Sequence, residues 1–244
     1  MQKDIIAFWG YPEKDIISQT KIEYPEASWV DLDINYNYPD LKIIPENYCV
    51  IIKNIVNNAF YLKDRIIKIL APIGKDKCDS AYFISEILIN EGFNIVQTIF
   101  EEKCEDYNSL KLPISKSKLP LRKKVELITN NIVEQKDYSN LEECVPAFGF
   151  WGVPPNDLSI LELFPDNTEV FGWIRAVEAG YPGDYKLETY VKENLPTIFF
   201  TQAFCSKTAL AKYLANKYEG LFIDVDNTPN NSAKAKIEAF LKLR

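Results

Sequence analysis

The chain has 244 residues, of which 47% are apolar and 13% aromatic, and a net charge of −7. This supplies core material for one large or two small domains and excludes a disordered chain. The negative charge repels a phosphate backbone, so general nucleic-acid binding is not expected.

Histidine is absent, which removes the commonest general base, the commonest metal ligand and every Ser-His or Cys-His nucleophile pair. The five cysteines (Cys49, Cys78, Cys104, Cys144, Cys205) are an odd number at long spacings with no C-x-x-C pair. A disulfide framework and a locally encoded zinc site are therefore not expected, and no cofactor is indicated. The apolar run after Met1-Gln2-Lys3-Asp4 is too short for a signal-peptide core, and no run reaches membrane-span length. A cytoplasmic protein without membrane contact is the expectation.

The first element is a strand at 6–9 that ends in Phe8-Trp9-Gly10-Tyr11-Pro12. The same pattern returns 142 residues later as Phe150-Trp151-Gly152-Val153-Pro154, and Asp15-Ile16 returns as Asp157-Leu158. Looser echoes follow: Tyr24-Pro25 with Phe164-Pro165, and Tyr38-Pro39 with Tyr181-Pro182. Val50-Ile51-Ile52 leading to Asn58-Ala59-Phe60 and Lys63 is set against Thr197-Ile198-Phe199-Phe200 leading to Gln202-Ala203-Phe204 and Lys207. Each half then reads as strand (6–9; 148–151), strand (28–34; 168–174), strand (49–55; 197–201) and helix.

Continuous Ile, Val and Phe runs predict strands covered on both faces, as in parallel sheets. A helix begins at Asp79 or Ser80, with Phe83, Ile84, Ile87 and Leu88 as its apolar stripe, and Gly92 ends it before a strand at 93–96. Arg65–Ile73 fits either a helix end or another strand. Residues 111–124 carry six cations and no acid and read as a solvated connector leading into an amphipathic helix with Leu121, Val125, Ile128 and Ile132 inward. A helix over 205–218, a strand at 221–225 and a last helix from Ser232 complete the chain.

The fold class is therefore α/β: two related Rossmann-like halves from an internal duplication, with parallel-rich sheets flanked by helices. The expected boundaries are 1–103 for the first half, 104–146 for the connector and 147–244 for the second half.

Cys205 is the candidate catalytic residue, because it falls where a parallel strand hands over to a helix, and a helix N-terminus lowers a thiol pKa. Its bland alternative is a small buried hydrophobe. Lys207 and Arg175 are candidate anion holders, with Arg175 paired to Glu178 across a helical turn as the default. Asp157 and Glu178 are candidate proton carriers. Trp9 and Trp151 either line a pocket for a planar ligand or pack the joint between the halves. The pairs Asp31/Asp33 and Asp224/Asp226 have the spacing of same-face carboxylates, able to hold a hard cation but usually marking a solvated strand end.

The two-half outline with a strand-end cysteine resembles that of the aspartate/glutamate racemases, which use one cysteine per half. The echo register puts Tyr61 opposite Cys205, so the second thiol is missing at the matching place. Cys78 matches only if Cys78…Gly92 is paired with Cys205…Gly220. No G-x-G-x-x-G, Walker A or G-x-S-x-G motif is present. The expected function is binding of a small molecule or metabolite in a cleft between the duplicated halves, with a cysteine-dependent enzyme as its catalytic form. The alternative is a non-catalytic accessory or partner subunit of a larger cytoplasmic complex, docking through its Trp-Pro surfaces and the basic 111–124 segment.

Overall fold

The structure, a computed structural model, describes residues 3–74 and 77–244. The chain divides into two compact units, Met1–Glu101 and Glu102–Arg244. Each is built on a four-stranded, all-parallel sheet flanked by helices.

In unit 1 the strands are β1 (Ile5–Phe8), β2 (Ser28–Asp31), β3 (Ile66–Pro72) and β4 (Ile95–Thr98), in the order β2-β1-β3-β4. They alternate with helices α1 (Lys14–Glu23), α2 (Val50–Tyr61) and α3 (Asp79–Asn90). All four residues of β1 are buried, as a central parallel strand covered on both faces requires. Ile5, Ala7 and Trp9 share one core cluster with Ile52, Ile55, Val56 and Ala59 of α2 and with Ile84 and Leu88 of α3.

Two expectations change here. The run at 49–55 is part of helix α2 and not a strand. Its buried positions Ile52, Ile55, Val56 and Ala59 follow helical spacing, and that period overrides the β-branched composition of Val50-Ile51-Ile52. The third strand is instead the undecided Arg65–Ile73 stretch, β3. On α3 only Ile84 and Leu88 of the expected stripe turn inward, while Phe83 and Ile87 lie on the exposed side, Phe83 with 58% of its surface open. β2 also ends at Asp31 rather than at residue 34.

Unit 2 begins with α4 (Leu121–Glu134) and continues through β5 (Phe148–Gly152), a 3-10 helix (Leu158–Leu163), β6 (Thr168–Phe171), α5 (Trp173–Ala179) and α6 (Tyr185–Thr189). β7 (Thr197–Gln202), α7 (Thr208–Lys217), β8 (Leu221–Val225) and α8 (Asn231–Leu243) follow. The order β6-β5-β7-β8 repeats the strand order of unit 1. Trp151, Phe171, Phe199 and Leu214 form its core with Val191 and Ala215. The expected strand at 168–174 stops at Phe171, and Trp173-Ile174 open α5, because Gly172 at φ +75° turns the chain. A Cβ on Gly172 would lie 2.8 Å from the Gly152 nitrogen, so this close approach of two strand ends needs glycine.

The cationic stretch 111–124 is solvated only in part: Lys111, Lys118, Arg122 and Lys123 are exposed, but the segment between them packs into unit 2. Leu112, Ile114, Ser115, Ser117 and Leu121 are buried, and α4 packs on α5, the 158–163 turn and β6 within unit 2. Lys124 is wholly enclosed and its Nζ donates to the Asp166 carbonyl at 3.0 Å and the Thr168 carbonyl at 2.6 Å. Hydrogen bonding of this kind is what allows an ammonium to be buried, and desolvation pulls its pKa down.

Matching sheet orders place β3, α3 and β4 where β7, α7 and β8 stand. The topology therefore follows the register that pairs Cys78…Gly92 with Cys205…Gly220, not the one that sets Tyr61 opposite Cys205. No described helix is long and apolar enough to cross a membrane.

Candidate ligand-binding site

In unit 1 the candidate geometry lies at the carboxyl end of the sheet, between the central strands β1 and β3. The order β2-β1-β3-β4 makes this a switch point, where the chain leaves β1 for one side and returns for β3 on the other. Open parallel sheets bind ligands in the crevice that such a reversal leaves.

Three strand exits converge there. Gly10 follows β1 at φ +57°, and its N–H donates to Asp33 Oδ2 at 2.7 Å. Asp33 lies two residues past the end of β2, and its N–H donates to Asp31 Oδ1 at 2.9 Å. Lys77, after β3, sends its Nζ to Asp33 Oδ2 at 3.1 Å, and its side chain runs across the space that a Cβ on Gly10 would fill. Both members of this ion pair are largely shielded.

The loop that carries Asp33 is fixed from α2. Asn54 Nδ2 donates to the Asp33 carbonyl at 3.1 Å, and Asn58 Nδ2 donates to the carbonyls of Leu32 and Ile34 at 2.9 and 2.8 Å. Asp31 keeps part of its residue surface, but its carboxyl is enclosed. Burial first, and then the Asp33 charge beside it, push its pKa up to about 8. Tyr36, buried in part and facing Asp31, is pushed up to about 12. The i, i+2 acids are thus not a solvated strand end: one is ion-paired, and the other is a carboxyl that holds its proton near neutral pH.

The residues singled out from sequence are dispersed. Trp9 and Trp151 are both fully enclosed in the core of their own unit, where their Nε1 atoms donate to the Pro72 carbonyl at 3.1 Å and the Glu188 carbonyl at 2.7 Å. Neither offers an open ring face to a planar ligand. Asp157 caps the 158–163 turn by accepting from the Ser159 N–H at 2.9 Å. Lys207 is ion-paired with the buried Glu188, so its charge is neutralised locally. Glu178 accepts from the Ile114 N–H at 2.6 Å, the Ser115 N–H at 2.9 Å and the Ser115 hydroxyl. It anchors the 112–117 segment, and burial raises its pKa despite those donors.

Cys205 is partly exposed past the carboxyl end of β7. Helix α7 starts only at Thr208, three residues later than expected, because a turn intervenes in which the Cys205 N–H donates to the Gln202 carbonyl at 3.1 Å and Phe204 sits at φ +61°. Gln202 ties this edge together. Its Oε1 accepts from the Asn156 N–H, and its Nε2 donates to the Asp226 carbonyl at 3.0 Å. Asp224, the acid of the second pair that lies within β8, is raised by burial and then by Asp226.

Arg175 is not ion-paired to Glu178, since the donors of Ile114 and Ser115 occupy that carboxylate. Its guanidinium lies over the Tyr190 ring at 4.5 Å and the Phe171 ring at 5.5 Å. Among the described residues no three of His, Cys, Asp and Glu gather into a group able to hold a metal ion.

Sequence reasoning placed Gly10 only within a Trp-Gly-x-Pro segment that could line a pocket, and missed Asn54, Asn58 and Lys77. The available signal was the helical period of 52–59, which puts Asn54 and Asn58 one turn apart on a single face. No family model matches this chain, and no curated protein matches it.

Proposed function

We propose that the chain is a protein that binds a small molecule or metabolite, with the carboxyl end of the unit 1 sheet as its ligand site. The observation that supports this is the convergence of Gly10, Asp31, Asp33 and Lys77 at the switch point between β1 and β3. A carboxyl protonated near neutral pH can donate or accept a hydrogen bond, and the ion pair beside it supplies fixed charges of both signs. This equipment suits a polar ligand bearing hydroxyl or ammonium groups.

The test reads the Gly10 amide, one of nine glycine signals, in proton–nitrogen spectra of the full chain titrated with amino acids, polyols and monocarboxylates. At least one compound is expected to shift Gly10 saturably, with binding about tenfold weaker in Asp33→Asn. If no compound moves Gly10, or if Asp33→Asn binds as wild type does, the site is refuted.

The catalytic form of the reading gives Cys205 the nucleophile's part. Iodoacetamide labelling across pH, read at each cysteine by mass spectrometry, should then show Cys205 reacting faster than the other four thiols, with the rate falling under acid. Slow labelling at every pH in the folded chain removes catalysis and leaves binding.

A further inference from the structure

Arg175 is 8% exposed, yet its Nε and Nη1 are buried without a hydrogen-bond partner among the described residues. It makes no ion pair, which leaves Nη2 as the nitrogen that reaches solvent. Burying a guanidinium with unsatisfied donors is costly, and the usual remedy is a carboxylate that accepts from two nitrogens at once.

Among the described residues the carboxylates that act electrostatically on Arg175 are Glu169 and Glu178, and both are engaged elsewhere. Glu169 accepts from Lys192 at 2.5 Å, and Glu178 accepts from Ile114 and Ser115. The aromatic faces of Tyr190 and Phe171 hold the guanidinium plane in place but supply no acceptor for its N–H groups. Tyr190 is itself 47% exposed, so the ring that lies against the guanidinium borders solvent.

We propose that Arg175 is the anion anchor of a second ligand site, in unit 2, and that it takes the carboxylate of a small molecule on Nη2, with the buried Nη1 completing the fork once the half-exposed Tyr190 ring moves aside. A monoanion fits better than a phosphate dianion. Lys192 already balances Glu169, which leaves one positive charge to neutralise, and a second negative charge would face Glu169 and Glu178. The site deepens the ligand-binding reading by naming a ligand class. It shares no residue with the Asp31, Asp33 and Lys77 cluster, so either can fail alone.

The chain has only four arginines, Arg65, Arg122, Arg175 and Arg244, so the Nε–H signal of Arg175 can be assigned by its loss in Arg175→Lys. The full-length protein is titrated with propionate, with inorganic phosphate and with chloride at matched ionic strength. Propionate should shift the Arg175 signal saturably and bind at least fivefold more tightly than phosphate. Read at the backbone amide of Tyr190, whose ring lies against the guanidinium and which every variant keeps, Arg175→Lys retains the charge but loses the fork and should bind propionate at least tenfold more weakly while the Gly10 amide stays in place; Arg175→Met should lose binding altogether. No saturable shift, or equal binding by Arg175→Lys, means that the residue serves only as a cation stacked between two rings. Tighter binding of phosphate overturns the carboxylate assignment. If Arg175→Met does not fold, Arg175→Lys carries the test.

Discussion

Asp31→Asn is expected to flatten the fall in stability that the wild-type chain shows as pH rises from about 4 to about 8. In the unfolded chain the Asp31 carboxyl gives up its proton near the ordinary 3.8, whereas the folded protein holds it up to about 8. Over that interval the folded state binds more protons than the unfolded state, so stability declines with rising pH, and the loss is complete above the folded value. The cause is burial of the carboxyl, followed by the Asp33 charge; the Asp33 N–H and the Lys77 ammonium oppose it. Asparagine keeps an oxygen for the Asp33 N–H and carries no charge at any pH. At about 1.4 kcal/mol per tenfold change in proton affinity, the displacement from 3.8 to about 8 sets an upper scale of about 6 kcal/mol. Water entering an opened site reduces this, and about 2 kcal/mol or more is expected at pH 9 relative to pH 5. Urea unfolding of both proteins at the two pH values measures it. Parallel pH profiles would show that Asp31 ionises as an ordinary aspartate and that the site holds no retained proton.

Trp151→Ala should cost about 3–5 kcal/mol, the usual range for removing a large aromatic side chain from a core. Trp151 is fully enclosed, packs at 5.9 Å against the Phe199 ring and closes on Gly172, so neighbouring strand ends have little freedom to collapse into the space. Its lost N–H also leaves the Glu188 carbonyl without that donor, which adds about 1–3 kcal/mol if no water replaces it. Against a typical domain stability of about 5–15 kcal/mol this is a large fraction. Because the chain forms two compact units, the loss should fall on the unfolding of unit 2 and leave the unit 1 transition in place. Denaturant unfolding followed by circular dichroism separates the two, with Trp9→Ala as the reciprocal control. A loss below about 1 kcal/mol would mean that the Trp151 region repacks freely.

The sequence alone determined the α/β class and most of the elements, because those properties are local. The continuous Ile-Ile-Ala-Phe and Thr-Ile-Phe-Phe runs specify strands covered on both faces, and the inward spacing of Leu121, Val125, Ile128 and Ile132 specifies α4. The shared Phe-Trp-Gly-x-Pro segment likewise marked β1 and β5, which occupy corresponding places in sheets of the same order.

What the tertiary structure decided was partnership. Val50-Ile51-Ile52 has strand composition but becomes helix, because its buried face must meet both β1 and α3 in one core. Asp157, Glu178 and Lys207 carry the right chemical groups for a site, yet each is committed to a local cap or a long-range bond that no spacing reveals. Gly10, Asp33 and Lys77 lie up to 67 residues apart and meet only because parallel strands deliver their exits to the same edge. A charge's role depends on which donors and acceptors surround it in space, and that neighbourhood is set by strand order rather than by sequence distance.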